Sequence, residues 1–381
     1  MKKQDLIFVE KTILQHVCDT ELGIGDTIPS IRSLQSQLHL SRNAVLAAIS
    51  SLRKKGIILK GSSAREGYTL CTSPSTSLIH YGGEHELTAH FLLPFYTWNY
   101  TINEYLASFE SVFSSHDINL IFSNTHNSVE EEKRLLEGIL AKPPASRPDF
   151  LLLTTCNSFS NPNLKLLQQL NAEIPVILID RFFPASPYFH YIGVNNVYIG
   201  SRTAQYLLEN NHSNIGYIKA YHRISTIWER FVGFQNILKN SGIVLDEKNI
   251  FQMSGEEIGF LADIQNEVDH IGAKILSLSK RPTAIVCSFD RIGVALMNFL
   301  LKNNVRVPED ICIIGCDEDK NVSEISPMPL TTFRHSYKEC AEAVVEQMYK
   351  IQNRAPTSPC RIEFYSDFIL GKSTAANYPQ Q

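Results

Sequence analysis

Arg32 and the run Ser41-Arg42-Asn43 are the first residues in the chain whose types and spacing suit chemistry, and that chemistry is recognition of nucleic acid. Ser41 is a good helix N-cap, because its hydroxyl can accept from an amide of the first turn. The residue after such a cap sits where a recognition helix enters a major groove. There Arg42 can fork onto guanine O6 and N7 or clamp a phosphate, and Asn43 can read a base edge. Arg32 projects from the start of the preceding helix toward the same side. The polar loop 61–67 carries Arg65 and Gly67, and a glycine lets backbone approach a phosphate or the minor groove closely. Lys54, Lys55 and Lys60 are candidate phosphate contacts, although each alone reads more readily as a solvated surface charge.

No comparable set points to catalysis. The chain has no Gly-x-Gly-x-x-Gly, no phosphate-cradling Gly-x-x-x-x-Gly-Lys, no His-Glu-x-x-His and no Gly-x-Ser-x-Gly, and its twelve histidines are dispersed. Eight cysteines include no Cys-x-x-Cys pair, and Cys312 and Cys316 have no histidine at metal-ligand spacing. They read as buried thiols of a reducing compartment. No catalytic residue, no metal and no cofactor is expected.

Periodicity identifies the elements that must position the basic residues. Apolar residues Ile7, Ile13, Leu14 and Val17 recur at helical spacing, and Gly23, Gly25 and Pro29 end that helix. A short helix over 30–39 and a third from Ser41 to about Lys55 follow, closed by Gly56. Strands at 57–60 and 68–71 flank the loop with Arg65. Three helices and a hairpin make a winged helix-turn-helix, expected over 1–73. The Ser-, Thr- and Gly-rich stretch 74–86 reads as a linker. Beyond it, short apolar strands alternate with helices: strands near 90, 119, 149, 176, 215, 284 and 312, helices over 102–116, 129–140, 197–210, 230–240, 268–278 and 290–303. That rhythm predicts α/β architecture with doubly wound parallel sheets, and its length predicts two lobes. Their expected limits are 87–191 with 329–355, and 192–328 with 356–375.

Charge separates the same parts. Residues 1–73 hold ten basic and six acidic residues, so the head is at +4 and the remainder of a chain of net charge −4 is at −8. A basic head on an acidic body suits a phosphate-bearing partner met by the head alone. The N-terminus lacks the apolar core of a signal peptide, and no run approaches the ~18 apolar residues of a membrane span, so a cytoplasmic protein with no membrane partner is expected.

The head resembles the GntR-type winged helix. The shared phrases are Ile28-Pro29-Ser30-x-Arg32-x-Leu34, Ser41-Arg42-x-x-Val45 and Leu52-x-x-x-Gly56-Ile57. The resemblance implies operator contacts by Arg32 and Arg42. Where that family often carries a further arginine, this chain has Leu46. The body resembles the LacI/GalR-type effector domain, with the fold of periplasmic sugar-binding proteins, through Val176–Arg181, Ile192–Asn196, Glu229-Arg230-Phe231-x-Gly233-Phe234, Thr283–Asp290, Val307–Asp317 and Pro329–Phe333. That resemblance implies an effector in the cleft between lobes, at the carboxyl ends of the strands. It makes Arg230, Asp290 and Asp317 the polar anchors, with Asp180 and Arg181 at another strand end. Carboxylates accept from paired sugar hydroxyls, and a guanidinium donates to them in bidentate fashion. Phe95, Trp98, Trp228 and Phe289 offer rings to a sugar's C–H face. The plainer readings are strand-end hydrogen bonding for Asp180 and Asp317, an interlobe salt bridge for Arg230 and core packing for the tryptophans. Many relatives have Asn-Asp where this chain has Phe289-Asp290, and Asp-Asn where it has Asn195-Asn196.

These readings together predict a homodimeric transcription regulator, a repressor, with two partners: double-stranded operator DNA and a small-molecule effector, a mono- or disaccharide or a sugar phosphate. The alternatives are a sugar-binding module with a vestigial head, or an enzyme on the same body.

Overall fold

A computed structural model of the chain describes residues 3–20, 22–54, 56–60, 67–71, 87–94, 100–221, 223–254, 261–352 and 358–374. Lys55, Arg65, Phe95, Trp98 and the expected linker 74–86 lie outside the described residues. The chain divides into two compact units: residues 1–87 with 116–118 and 346–355, and the remainder.

The N-terminal unit begins with helices α1 (Lys3–Asp19), α2 (Ile31–Leu38) and α3 (Arg42–Lys54), then strands β1 (Ile58–Lys60) and β2 (Tyr68–Leu70). Ile13, Leu14, Val17, Leu34, Val45, Ile49 and Leu52 form its core, the positions that helical periodicity selects. β1 and β2 pair antiparallel with Ile58 opposite Leu70, and a bridge from Thr27 to Thr69 adds a third segment. Ser30 Oγ accepts from the Ser33 amide to start α2, and left-handed His39, at φ 53°, ends it. Ser41 Oγ accepts from the Ala44 amide at 3.2 Å, so Ser41 caps α3 as its sequence indicates. Gly56, at φ 73°, takes the left-handed turn out of α3 that a side chain would resist.

The second unit alternates strand and helix: β3 (Thr88–Leu93), α4 (Tyr100–Ser115), β4 (Asn119–Asn124), α5 (Val129–Leu140), β5 (Phe150–Leu153), α6 (Leu164–Glu173), β6 (Val176–Ile179) and β7 (His190–Val194). It continues with α7 (Asn196–Glu209), β8 (Ile215–Lys219), α8 (Ser225–Asn240), β9 (Ile250–Gln252), α9 (Leu261–Ser277), β10 (Ala284–Cys287), α10 (Asp290–Lys302), β11 (Cys312–Ile314) and α11 (Lys320–Ser323). Last come β12 (Thr332–Arg334), α12 (Tyr337–Gln352), β13 (Arg361–Phe364) and β14 (Asp367–Ile369). Two parallel sheets result, one in the order β13-β7-β6-β5-β3-β4 and one in the order β11-β10-β8-β9. β5, β6 and β10 are buried along their whole length, as strands covered by helices on both faces must be.

The expected lobe limits need correction. A boundary at 191/192 cuts through β7, which pairs with β6 in the first lobe. The first lobe also takes β13, placed by sequence in the second, because β13 pairs with β7 in parallel register from Arg361 opposite Tyr191. The chain therefore crosses between lobes at Asn195, at His335-Ser336 and at Tyr365-Ser366. β12 and β14 pair antiparallel beside these crossovers. Helices α6, α11 and α12 are additions to the helices named from sequence.

Helices α7 and α8 approach closely enough to need glycine on both sides. A Cβ on Gly200 would lie 1.8 Å from the Arg230 carbonyl oxygen, and one on Gly233 would lie 2.2 Å from that of Val197. Gly200→Ala is expected to force the helices apart and cost about 2–3 kcal/mol, as overpacking does, read as a lower urea midpoint in equilibrium unfolding.

Candidate functional site

In the head, Arg32, Ser41, Arg42 and Asn43 are all exposed, and they lie at the amino ends of α2 and α3. Leu46, the departure from the family pattern, is also exposed, at 40%, so α3 presents an apolar side chain beside its polar tip. Gly67 has a structural task that its sequence did not reveal: a Cβ there would meet Thr27 Cγ2 at 2.8 Å.

In the body, the polar cluster forms where strands end. Asp180 follows β6 at φ 63°, and Asp317 and Glu318 follow β11 at φ 104° and 45°. Left-handed backbone at non-glycine residues costs on the order of 1 kcal/mol each and persists where the surroundings over-determine it. Arg230 reaches this cluster from the first turns of α8 and is 9% exposed. Its Nε donates to Asn196 Oδ1 at 2.7 Å, its Nη1 to the Ser288 carbonyl at 2.9 Å and its Nη2 to Asp317 Oδ1 at 3.2 Å. Burial alone would loosen the guanidinium's proton, but the Asp317 and Asp180 carboxyls outweigh burial and hold it charged. Burial would raise Asp317, yet Arg230 and His335 keep its carboxyl well below the usual range. Asp180 goes the other way: burial raises it, against the pull of Arg181, Arg230 and His335. Tyr105 donates its hydroxyl to Asp180 Oδ1 at 3.4 Å. Arg181 donates to the Thr155 carbonyl, and its Nε lies 3.8 Å from Asp180 Oδ2.

The structure thus brings Asp180, Arg181, Arg230 and Asp317 into one electrostatic cluster. It treats the other expected residues differently. Asp290 is 4% exposed, and both its oxygens are engaged, Oδ1 by the Thr332 hydroxyl at 2.7 Å and Oδ2 by the Asp319 amide at 2.9 Å. It ties α10 to the segment after β11 and to the first residue of β12. Phe289 packs against the core of the second lobe. Trp228 is 44% exposed and meets Phe159, a residue of the first lobe, edge to face at 5.7 Å.

Sequence reasoning missed Asn196, His335, Ser366, Tyr105 and Tyr337. His335 Nε2 lies 3.1 Å from Asp317 Oδ1 and its Nδ1 lies 2.7 Å from Ser366 Oγ. Tyr337 packs tilted against Tyr105 and edge to face against the His335 ring. The one signal for His335 was its place two residues after the phrase Pro329–Phe333. Cys316 Sγ, Asp317 and His335 offer ligand atoms within 4.8 Å of one another, the geometry of a metal site. The Arg230 guanidinium on the same Asp317 oxygen places a positive charge against any cation there, and burial pushes the Cys316 thiol up. The trio is suited to hydrogen bonding.

Residues 204–374 match the family of the periplasmic binding protein-like domain. The chain is 26% identical over 331 residues to the arabinose metabolism transcriptional repressor of Halalkalibacterium halodurans, covering 86% of this chain and 84% of that protein. It is 31% identical over 229 residues to the HTH-type transcriptional repressor PurR of Aliivibrio fischeri, covering 60% of this chain and 63% of that one, so it spans under two thirds of that relative. The solved complex of the transcriptional regulator CelR with cellobiose superposes with a TM-score of 0.64 at 15% identity over 88% of this chain and 91% of that one, a likeness of fold. The sequence relatives are transcriptional repressors, not enzymes.

Because the Asp317 carboxyl is held below its unfolded value, its contribution to stability is present at neutral pH and fades as pH falls below the ordinary carboxylate range. Asp317→Asn is therefore expected to lower the urea midpoint at about pH 7, and the gap to wild type should narrow by about pH 3.

Proposed function

We propose that this chain, a homologue of transcriptional repressors whose body is a LacI/GalR-type periplasmic-binding-protein-like effector domain, is a sequence-specific repressor whose hold on operator DNA is set by a sugar-class effector between its lobes. The observation that carries the reading is the pairing of two separate sites on one chain. Exposed Arg32, Arg42 and Asn43 stand at helix N-termini, and a cluster of Asp180, Arg181, Arg230 and Asp317 lies at strand ends facing the other lobe. No helix among the described residues is long and apolar enough to cross a membrane.

The head is assigned to the GntR type, supported by the hairpin after α3 and by the arginines at both helix starts. Arg42 reads a base edge or clamps a phosphate, Arg32 and Ser41 set the register, and Gly67 enters the second strand of the wing. Two heads on the half-sites of a palindrome require a homodimer, acting in the cytoplasm. In the cleft, Arg230 and Asp317 bind adjacent hydroxyls while Asp180 and Arg181 close on the effector from the first lobe. Asp290 shapes the second lobe instead of touching the effector, and Phe289 leaves that position without a polar ligand. Trp228 supplies apolar surface. The effector acts only to the extent that it binds the DNA-competent and DNA-released arrangements differently.

The experiment is a gel shift on DNA upstream of the chain's own reading frame, with and without sugars that raise the melting temperature in a screen of pentoses, hexoses, disaccharides and their phosphates. Wild type should shift a specific fragment in a salt-sensitive way. Arg42→Ala should weaken that shift by about 1–3 kcal/mol, roughly five- to 150-fold, and leave the sugar-induced melting shift intact. Arg230→Ala should abolish the melting shift and the sugar response while retaining operator binding. Loss of the same function in both variants would refute the division of labour.

A further inference from the structure

Three chain segments join the lobes, and each contributes one side chain to a single hydrogen-bond path. Asn196, at the first crossover, accepts from Arg230 Nε at 2.7 Å. Arg230 Nη2 donates to Asp317 Oδ1 at 3.2 Å. The same oxygen faces His335 Nε2, at the second crossover, across 3.1 Å. His335 Nδ1 meets Ser366 Oγ, at the third crossover, at 2.7 Å. The third and first crossovers are also joined by backbone, because the Asn195 amide donates to the Phe364 carbonyl at 2.9 Å. A charged carboxylate only accepts, so Nε2 of His335 carries a proton. With Nε2 protonated, neutral His335 accepts the Ser366 hydroxyl at Nδ1 and the imidazolium donates to it there, so the path stays closed in either state. His335 and Ser366 are 9% and 4% exposed. The groups facing the ring are Asp317, Cys316, Ser366 and Tyr337, with Arg230 on the shared oxygen.

We propose that His335 is a positioning residue that fastens Asp317 to all three lobe crossovers, so that whatever engages Asp317 in the cleft stiffens or frees the hinge as a unit. This rests on the reading of the cleft as the effector site, but its new members, His335, Asn196 and Ser366, have no expected contact to effector. Asp317 shares one oxygen between Arg230 and His335, so a ligand that draws the carboxylate or the guanidinium shifts both bonds together. The backbone records the change, because the Asp317 amide donates to the Phe333 carbonyl, two residues before His335.

Hydrogen–deuterium exchange on the full chain tests this without knowledge of the effector. His335→Ala should speed exchange about tenfold at the Asn195 amide, which His335 does not touch, since a lost hydrogen bond to a charged group is worth at least that factor. Ser366→Ala should do the same at the Asp317 amide, and it serves alone if His335→Ala fails to fold. His335→Gln, which retains a donor toward Asp317, should restore wild-type exchange. A rise confined to each variant's own crossover would overturn the proposal. L-arabinose and cellobiose provide a second arm. If either raises the melting temperature, exchange at Asn195 and Asp317 should slow together in wild type and uncouple in His335→Ala, and coupled slowing that persists in the variant overturns the proposal. If neither sugar binds, the sugar arm is run with whichever compound of the screen raises the melting temperature, and the comparison of variants decides the role of His335 in any case.

Discussion

The buried pair of Arg230 and Asp317 is the interaction on which the rest of the body depends. Two charges withdrawn from water cost several kcal/mol each, and their attraction offsets that cost only when the remaining donors and acceptors are matched. Here they are matched from several directions. Asn196 and the Ser288 carbonyl take the other guanidinium protons, and His335 adds a second donor to the carboxylate. Each partner comes from a different element, so the pair forms only when α7, α8, the end of β10, the end of β11 and the second crossover are all in place. The demand reaches into the packing: α8 can bring Arg230 there only because Gly200 and Gly233 let α7 and α8 touch backbone to backbone.

The same constraint separates recognition from framework among residues that look alike. Asp290 and Asp317 both sit at carboxyl ends of neighbouring strands in one sheet, and both carry an aspartate side chain. Asp290 spends both oxygens on Thr332 and the Asp319 amide, and burial raises its carboxyl well above the usual range. Asp317 shares one oxygen between two donors and is more exposed, at 19% of its side chain. An aspartate that keeps both donors on one oxygen at an opening can offer the other oxygen to a ligand, whereas a buried one with both oxygens engaged serves the fold.

Contacts between the lobes also form away from this pair. The Ser158 hydroxyl accepts from the Ser225 amide, and the Ser225 hydroxyl accepts from the Phe182 amide. Arg361, on β13, pairs with Glu229, on α8, while its guanidinium lies 4.1 Å from the Phe182 ring centre. The start of α8 therefore carries Arg230 into the cleft and binds the first lobe with neighbouring residues. A change of lobe angle must move both sets together, which suits a body whose two halves respond to one ligand.

The sequence by itself determined what depends on local order. Helical spacing of Ile13, Leu14, Val17, Val45, Ile49 and Leu52 specified the head, Ser41 specified a cap, and apolar runs such as Val176–Ile179 specified buried parallel strands. Those features arise within a few residues of chain, where propensity and periodicity act. The membership of β7 and β13 in the first lobe was not legible, because His190, Gly193 and Glu363 break the apolar pattern and pairing partners 170 positions apart leave no local trace. Only the tertiary structure decided that Asp290 is spent internally, that Gly67 makes room for Thr27, and that His335 and Ser366 join Asp317 at the crossovers. Each of these depends on which distant residue is brought within about 3 Å, a proximity that spacing along the chain does not encode.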